Sequence, residues 1–450
     1  MRREGLFEKL PETAPPELGS VGGKPRLREP VRDQIELRAV DIDSLIGSDH
    51  PARIIWGYVE RLDLGELENA IKSREGTPGG PAIAPRLLLA LWLYATSEGV
   101  GSARALSRLI EQHDAYRWLA GGVSVNYHTL SDFRVGHGAL LDRLLAENVA
   151  ALCAAKVIDV SALTQDGVRV RASAGAASFR RRGRLEQHLA IARELVERLK
   201  REVDENPDAS NQRMRAARER AARERAERIE AALNTLDEVE AQRKAREPKS
   251  GKKVDENADQ KTAKPREPRA SSTDPQVRVL KMADGGFRPA WNVQVLSATG
   301  EQIVIDVTPL TTGSDRGLMR PCLEAVRERL GRLPDRHLGD GGFTSAADIE
   351  WAHDEGLDIY CPPTQSKHGT DPYLPRRDDG PGVLAWRNRM ASPEGQLTYR
   401  QRSVCECLHA RWRNWNLIRL NVRGVAKVKA VMLWHALANN ILQGHRLAAA

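Results

Sequence analysis

Four residues near the end of the chain, Tyr399, Arg402, Glu406 and Arg413, carry the spacing Tyr-x2-Arg-x3-Glu-x6-Arg. Steps of three, four and seven stay near one face of an α-helix. The spacing therefore predicts a helix from about Tyr399 to Trp412 that presents one carboxylate, two guanidiniums and a phenol together. A carboxylate can hold a divalent cation, while guanidiniums and a phenol can hold phosphate. Such a face suits the cutting or joining of phosphodiesters, provided that more carboxylates converge on Glu406. Taken alone, Glu406 reads as a solvated helix glutamate.

The elements upstream supply two further acids. Short runs of β-formers over residues 156–171 place Asp166 on or just after a strand. Residues 291–296 and 302–307 read as a hairpin. Ser314 and Asp315 read as the cap of a helix reaching Leu330. A short strand over residues 335–338 then ends at Gly339-Asp340-Gly341-Gly342, followed by a helix over 345–355, a strand over 357–361 and a polar Pro/Gly loop over 363–395. Asp166 before Gly167, and Asp340 among glycines, are also ordinary turn chemistry. The element order, however, is that of an α/β, ribonuclease H-like mixed sheet. In that order Asp166 and Asp340 become neighbours at strand ends, and Glu406 arrives from the helix after the last strand. Three carboxylates at one point repel, and a divalent cation resolves the repulsion. Two Mg²⁺ ions, or Mn²⁺ in their place, could then flank a phosphodiester.

The rest of the chain frames this core. Residues 1–30 are rich in Pro, Gly and charge and read as a flexible tail. Residues 31–155 read as short helices: one starting at Pro51, one over 86–97, one over 102–112, then residues 116–119 and 129–134. Glycine turns between them resemble a helix-turn-helix arrangement, but the pattern alone favours an ordinary helical bundle. The catalytic core spans 156–183 and 270–447. It is interrupted by a helical hairpin insertion over 184–247, whose RERAARERAER stretch is polar nearly all round, and by a charged linker over 248–269. A chain of 450 residues with 41% hydrophobic content can bury a sizeable core, and its net charge of +8 favours polyanionic partners, nucleic acid first. Five scattered cysteines without a CxxC fit a reducing cytosol. Cys405, Cys407 and His409 have the wrong spacing for a zinc knuckle. No apolar run approaches the roughly 20 residues of a membrane span, and the N-terminus has no apolar signal region.

The residues resemble the DDE transposases of the IS4/IS5 supergroup, most closely the IS1182 group of bacterial insertion sequences. The supergroup's Tyr-Arg-Glu-Lys signature matches Tyr399, Arg402 and Glu406, with Arg413 in place of the usual lysine. Its first acid matches Asp166 in TQDGV and its second Asp340 in GDGGF, where Gly341 replaces a common lysine. DIDSLIGSDHPAR, PRLLLALWLYA, SARALSRLI, YRWLAGG, NYHTLSDFR and TDPQVRVLKMADGGFRPAWNVQV extend the likeness over roughly residues 31–445. The resemblance implies a bacterial, cytoplasmic, nucleoid-associated enzyme. Its helical domain would bind terminal inverted repeats through Arg104, Arg108, His128, Thr129 and Arg134. Its core would nick the element ends and join the 3′-hydroxyls to target DNA, with Tyr399, Arg402 and Arg413 on the DNA phosphates. Trp291 and Trp412 would stack on an unpaired base, although core packing explains both as well. The helical hairpin would help two protomers pair, or is a simple insert. A catalytically silent repressor and a ribonuclease H-like nuclease are the competing readings.

Overall fold

The computed structural model describes residues 39, 41–76, 80–205, 212–246, 267–364 and 371–449. The tail over 1–30, and the linker up to residue 266, lie outside them. Seven helices come first: α1 (Pro51–Glu60), α2 (Gly65–Ala70), α3 (Pro85–Ser97), α4 (Ala103–Gln112), α5 (Asp114–Ala120), α6 (Tyr127–Gly136) and α7 (Gly138–Ala154). Their starts follow local chemistry. His50 Nδ1 accepts from the Ala52 amide (3.1 Å) ahead of Pro51. Asn126 Oδ1 accepts from the amides of His128 (2.7 Å) and Thr129 (3.2 Å). Both satisfy amides that the first helical turn leaves without partners.

The strands are β1 (Ala162–Arg171), β2 (Phe179–Arg180), β3 (Ala270–Ser271), β4 (Arg278–Lys281), β5 (Phe287–Ala298), β6 (Val304–Leu310), β7 (Arg336–Leu338) and β8 (Asp358–Tyr360). Between them run α8 (Arg182–Glu205), α9 (Gln212–Arg246), α10 (Met319–Leu330) and α11 (Ala346–Asp354). The C-terminal helices are α12 (Pro381–Ala391), α13 (Pro393–Arg400), α14 (Val404–Asn414) and α15 (Val425–Ala449). β1 lies between β5, to which it is antiparallel, and β7, to which it is parallel; β8 extends the parallel side. β4 and β6 pair with successive parts of the far edge of β5. This mixed sheet is compatible with a ribonuclease H-like core, and it puts Asp166 on an interior strand.

α15 is the axis on which the other helices pack. It is buried along most of its length and touches α1, α3, α6, α7 and β6. Two fully buried amides pin it to the sheet edge. Asn440 accepts from Val304 N and donates to Val304 O, each at 2.8 Å, while Asn439 donates to Gln302 O at 2.8 Å. They give strand backbone groups the partners that an edge otherwise lacks. Arg411 of α14 donates to Asn439 Oδ1 and to Gln302 Oε1, so the helix carrying Glu406 is tied to the same edge. The first seven helices and the sheet share one continuous hydrophobic core. α8 and α9 run antiparallel, with Arg182 on Asp237 and Arg193 on Glu230, around a separate small core that includes Leu185, Ile229 and Leu236.

Three expectations are corrected. The stretch read as one helix from Tyr399 is two: α13 ends at Arg400, residues Gln401–Ser403 form a 3-10 turn, and α14 begins at Val404. The loop expected over 363–395 contains α12 and the start of α13, because Pro381 and Pro393 occupy first helical positions, where a missing N–H costs nothing. Ser314 and Asp315 do not cap α10, which begins at Met319.

Arg329 of α10 links three elements. Its Nη2 lies 2.8 Å from Asp306 of β6 and 2.7 Å from Asp142 of α7, and its side chain is 8% exposed. Among the described residues, Arg329→Met leaves Asp306 buried with only the Thr308 hydroxyl (2.9 Å) as a side-chain donor. Equilibrium denaturation should show a loss of about 3–5 kcal/mol. A loss within about 1 kcal/mol would place this pair with ordinary surface ion pairs.

Candidate active site

Asp166 stands inside β1, opposite Val295 of β5, and not in a turn. Its carboxylate is 18% exposed and engaged on both oxygens. Oδ1 accepts from the Gly167 amide at 2.9 Å and lies 3.4 Å from Arg402 Nη2. Oδ2 lies 3.4 Å from His409 Nδ1 and 3.8 Å from Cys405 Sγ. Burial pushes its pKa up. The His409 hydrogen bond, the nearby positive groups and the Gly167 amide outweigh that and hold it below the ordinary value.

Gly167 is required by crowding. A Cβ there would lie 2.8 Å from Asn292 Oδ1, 2.9 Å from Gln294 Nε2 and 3.0 Å from Asp315 Oδ1. Asn292 Nδ2 and Gln294 Nε2 both donate to Asp315 Oδ1, at 2.7 and 2.9 Å. The Asp-Gly pair therefore makes room for a second carboxylate beside β1.

Asp340 follows β7 and caps the one-turn 3-10 helix Gly341–Phe343, its Oδ1 accepting from the Gly342 amide at 2.8 Å. The turn reading and the site reading hold together here. Burial raises its pKa, the Gly342 amide and Arg402 oppose the rise, and the charges of Asp166 and Asp315 add to it; the net direction is upward. A Cβ at Gly341 would meet Pro362 O at 2.9 Å. A lysine there would require this backbone to shift.

Glu406 is exposed in the first turn of α14. Together with Asp166, Asp315 and Asp340 it lines one open cavity of about 1020 Å³, which Arg169, Arg171, Arg288 and Arg413 also line. The three predicted acids thus reach one cavity from β1, from the loop after β7 and from α14. Their donor set, carboxylate oxygens that repel one another, fits a hard divalent cation. Among the described residues, no group of three or more His, Cys, Asp or Glu is drawn together closely enough to hold a metal ion.

The four residues of the C-terminal signature separate. Arg413 is exposed in the cavity. Arg402 is turned inward onto Asp166, and its charge also bears on Asp340. Tyr399 is partly buried beside Arg402; burial raises its pKa, and Arg402 opposes the rise. In the N-terminal helices, Arg104 is exposed and stacks over Tyr127 at 4.9 Å, while Arg108 and His128 are exposed and Thr129 is half-buried. Arg134 points inward. It lies 5.0 Å over the Trp92 ring and donates to Gly101 O, and burial lowers its pKa to about 10. Trp291 and Trp412 are each 0% exposed, so both are core residues and neither offers a stacking face. His409 and Asp315 were not identified as site residues in the sequence. His409 had a findable signal, one helical turn beyond Cys405 and three residues beyond Glu406; Asp315 resembled a helix cap.

Residues 259–441 match the model of the transposase DDE domain, and residues 40–135 match a second model, a transposase domain (DUF772). Both matches are to transposase domains. No curated protein and no solved structure gives a match. Asp340, Tyr399, Arg402, Glu406 and Arg413 fall within the transposase DDE match, and Asp166 falls before it. The pairing of β1 with β5 and β7 brings Asp166 into the sheet of the matched transposase domain. No described helix is long and apolar enough to cross a membrane.

Asp340→Asn keeps the oxygen that caps the turn and removes a charge that burial disfavours. A carboxyl with a raised folded pKa destabilises the fold when ionised, so the cost is present at neutral pH and vanishes as pH falls through the folded pKa and then the unfolded value. In metal-free buffer the Asn variant should melt higher than the parent at pH 7, with the gap closing toward pH 4. A variant that melts lower at pH 7 contradicts this electrostatic account.

Proposed function

We propose that the chain is a DDE transposase of the IS4/IS5 supergroup, in the IS1182 group. It binds the terminal inverted repeats of an insertion sequence, cleaves at the element ends and joins their 3′-hydroxyls to target DNA. The observation that carries this reading is the convergence of Asp166, Asp340 and Glu406, from three separate elements, on one arginine-lined cavity. Asp166, Asp340 and Glu406 would hold two Mg²⁺ ions, with Mn²⁺ able to substitute. When bound, such ions activate the attacking oxygen and stabilise the leaving one.

The chain's own groups do the rest. Arg413, exposed beside Glu406, binds a backbone phosphate of the DNA end; its planar fork suits phosphate as well as the lysine it replaces. The Gly342 amide and the Gly167 amide fix the rotamers of Asp340 and Asp166. α4 to α6 bind the repeats through Arg104, Arg108, His128 and Thr129. Arg134 supports this unit from inside, its guanidinium bound to Gly101 of the turn before α4. The α8–α9 pair serves pairing of two protomers, since both element ends must be cut together. The enzyme works in the bacterial cytoplasm, on the nucleoid.

On a plasmid bearing the element's ends, Mg²⁺ or Mn²⁺ should support nicking and strand joining. Asp166→Asn, Asp340→Asn and Glu406→Gln should each reduce both products to background while repeat binding persists in a gel-shift assay. Full cleavage by any of the three removes that residue from the site. Repeat binding by the parent chain with no cleavage in either metal would favour a silent repressor. Cleavage without joined products would favour a nuclease. Arg413→Ala should lower the slope of log affinity against log salt by about one, and Arg413→Lys should restore it. An unchanged slope in the alanine variant places Arg413 off the phosphates.

A further inference from the structure

The Asp166 carboxylate offers about four lone-pair positions, and four groups approach it. The Gly167 amide donates to Oδ1, with Arg402 Nη2 3.4 Å away; Cys405 Sγ approaches Oδ2 at 3.8 Å, with His409 Nδ1 3.4 Å away. A cation approaching Asp166 meets these groups. Arg402 is the group that like charge expels, and it sits on the short 3-10 turn between α13 and α14 rather than inside a helix. His409 differs in each respect. It lies within α14, is 9% exposed, and brings Nδ1 to 3.4 Å from Oδ2, the oxygen that Arg402 does not approach. Its Nε2 is buried without a hydrogen-bond partner, so the contact to Asp166 is the ring's one side-chain anchor among the described residues. Arg402, Cys405 and His409 step by three and four, one face of the chain wrapped against β1.

Resting on the transposase reading, we infer that His409 is a positioning residue for Asp166: its Nδ1–H holds Oδ2 and leaves Oδ1 to face the incoming cation once Arg402 withdraws. A hydrogen-bonded outer partner of a ligating carboxylate commonly changes metal affinity by 10–100-fold. The role requires a donor at the Nδ1 position and nothing else of the ring. An asparagine amide reaches the same point, whereas phenylalanine fills the space without a donor.

The test uses the full chain and Mn²⁺ alone, with binding read from loss of the free-ion electron paramagnetic resonance signal. His409→Phe should bind Mn²⁺ about tenfold or more weakly, and His409→Asn should stay within about threefold of the parent, short of that range. His409→Leu, a second replacement without a donor, should repeat the phenylalanine result, and thermal melting identifies any variant that fails to fold. Nicking by His409→Phe should recover as Mn²⁺ is raised, separating a metal-affinity defect from a lost catalytic group. Parent-like Mn²⁺ binding by folded His409→Phe and His409→Leu overturns the inference. So does an asparagine variant as weak as the phenylalanine one. A parent chain that binds no Mn²⁺ and nicks no plasmid overturns the transposase reading itself, and this inference with it.

Discussion

Carboxylates gathered in a partly buried place must have a counter-charge, and much of the structure answers that demand. Asp166 lies inside the sheet, where burial disfavours its charge, and Arg402 and His409 hold it ionised. Asp340 has the opposite balance, raised by burial and by its acidic neighbours. Two carboxylates whose surroundings push them apart in pKa, opening on one cavity, are a common mark of a functional site. The packing serves the same end. Gly167 makes room for the Asp315 network, and Arg411 fastens the helix of Glu406 to the sheet edge through Asn439 and Gln302.

Much of this was legible in the sequence, and the misses have physical causes. The order of strands and helices carried Asp166, Asp340 and Glu406 to one cavity, because short β runs and helix starts such as His50-Pro51 are written in local chemistry. The four-residue signature was legible as a spacing, but not as one helix or one shared face. Steps of three and four persist across the 3-10 turn at Gln401–Ser403, so periodicity alone could not find the break. Prolines at 381 and 393 looked like loop and were helix starts. Asp315 looked like a cap and instead accepts two amides across the sheet, a partnership set by the β1–β5–β6 pairing that no local pattern contains.

The helices before the sheet are bound closely to it. Trp434 of α15 donates to Arg134 O, Arg134 reaches Gly101, and Arg329 joins α7 to β6. These ties favour a unit that presents α4–α6 at a fixed place relative to the cavity. The α8–α9 pair is different, with its own small core and mostly charged outer faces. Its small core also takes in Ala270 of β3, which joins the pair to the rest of the chain.

The central claim is that Asp166, Asp340 and Glu406 share bound metal. Fe²⁺ exchanged into the full chain with ascorbate and peroxide cleaves polypeptide where the iron sits, and the fragments can be mapped by mass spectrometry. The account predicts cuts near residues 166, 340 and 406 together, suppressed by excess Mg²⁺. Cuts confined to other segments, or cuts at these three that Mg²⁺ leaves unchanged, would contradict it.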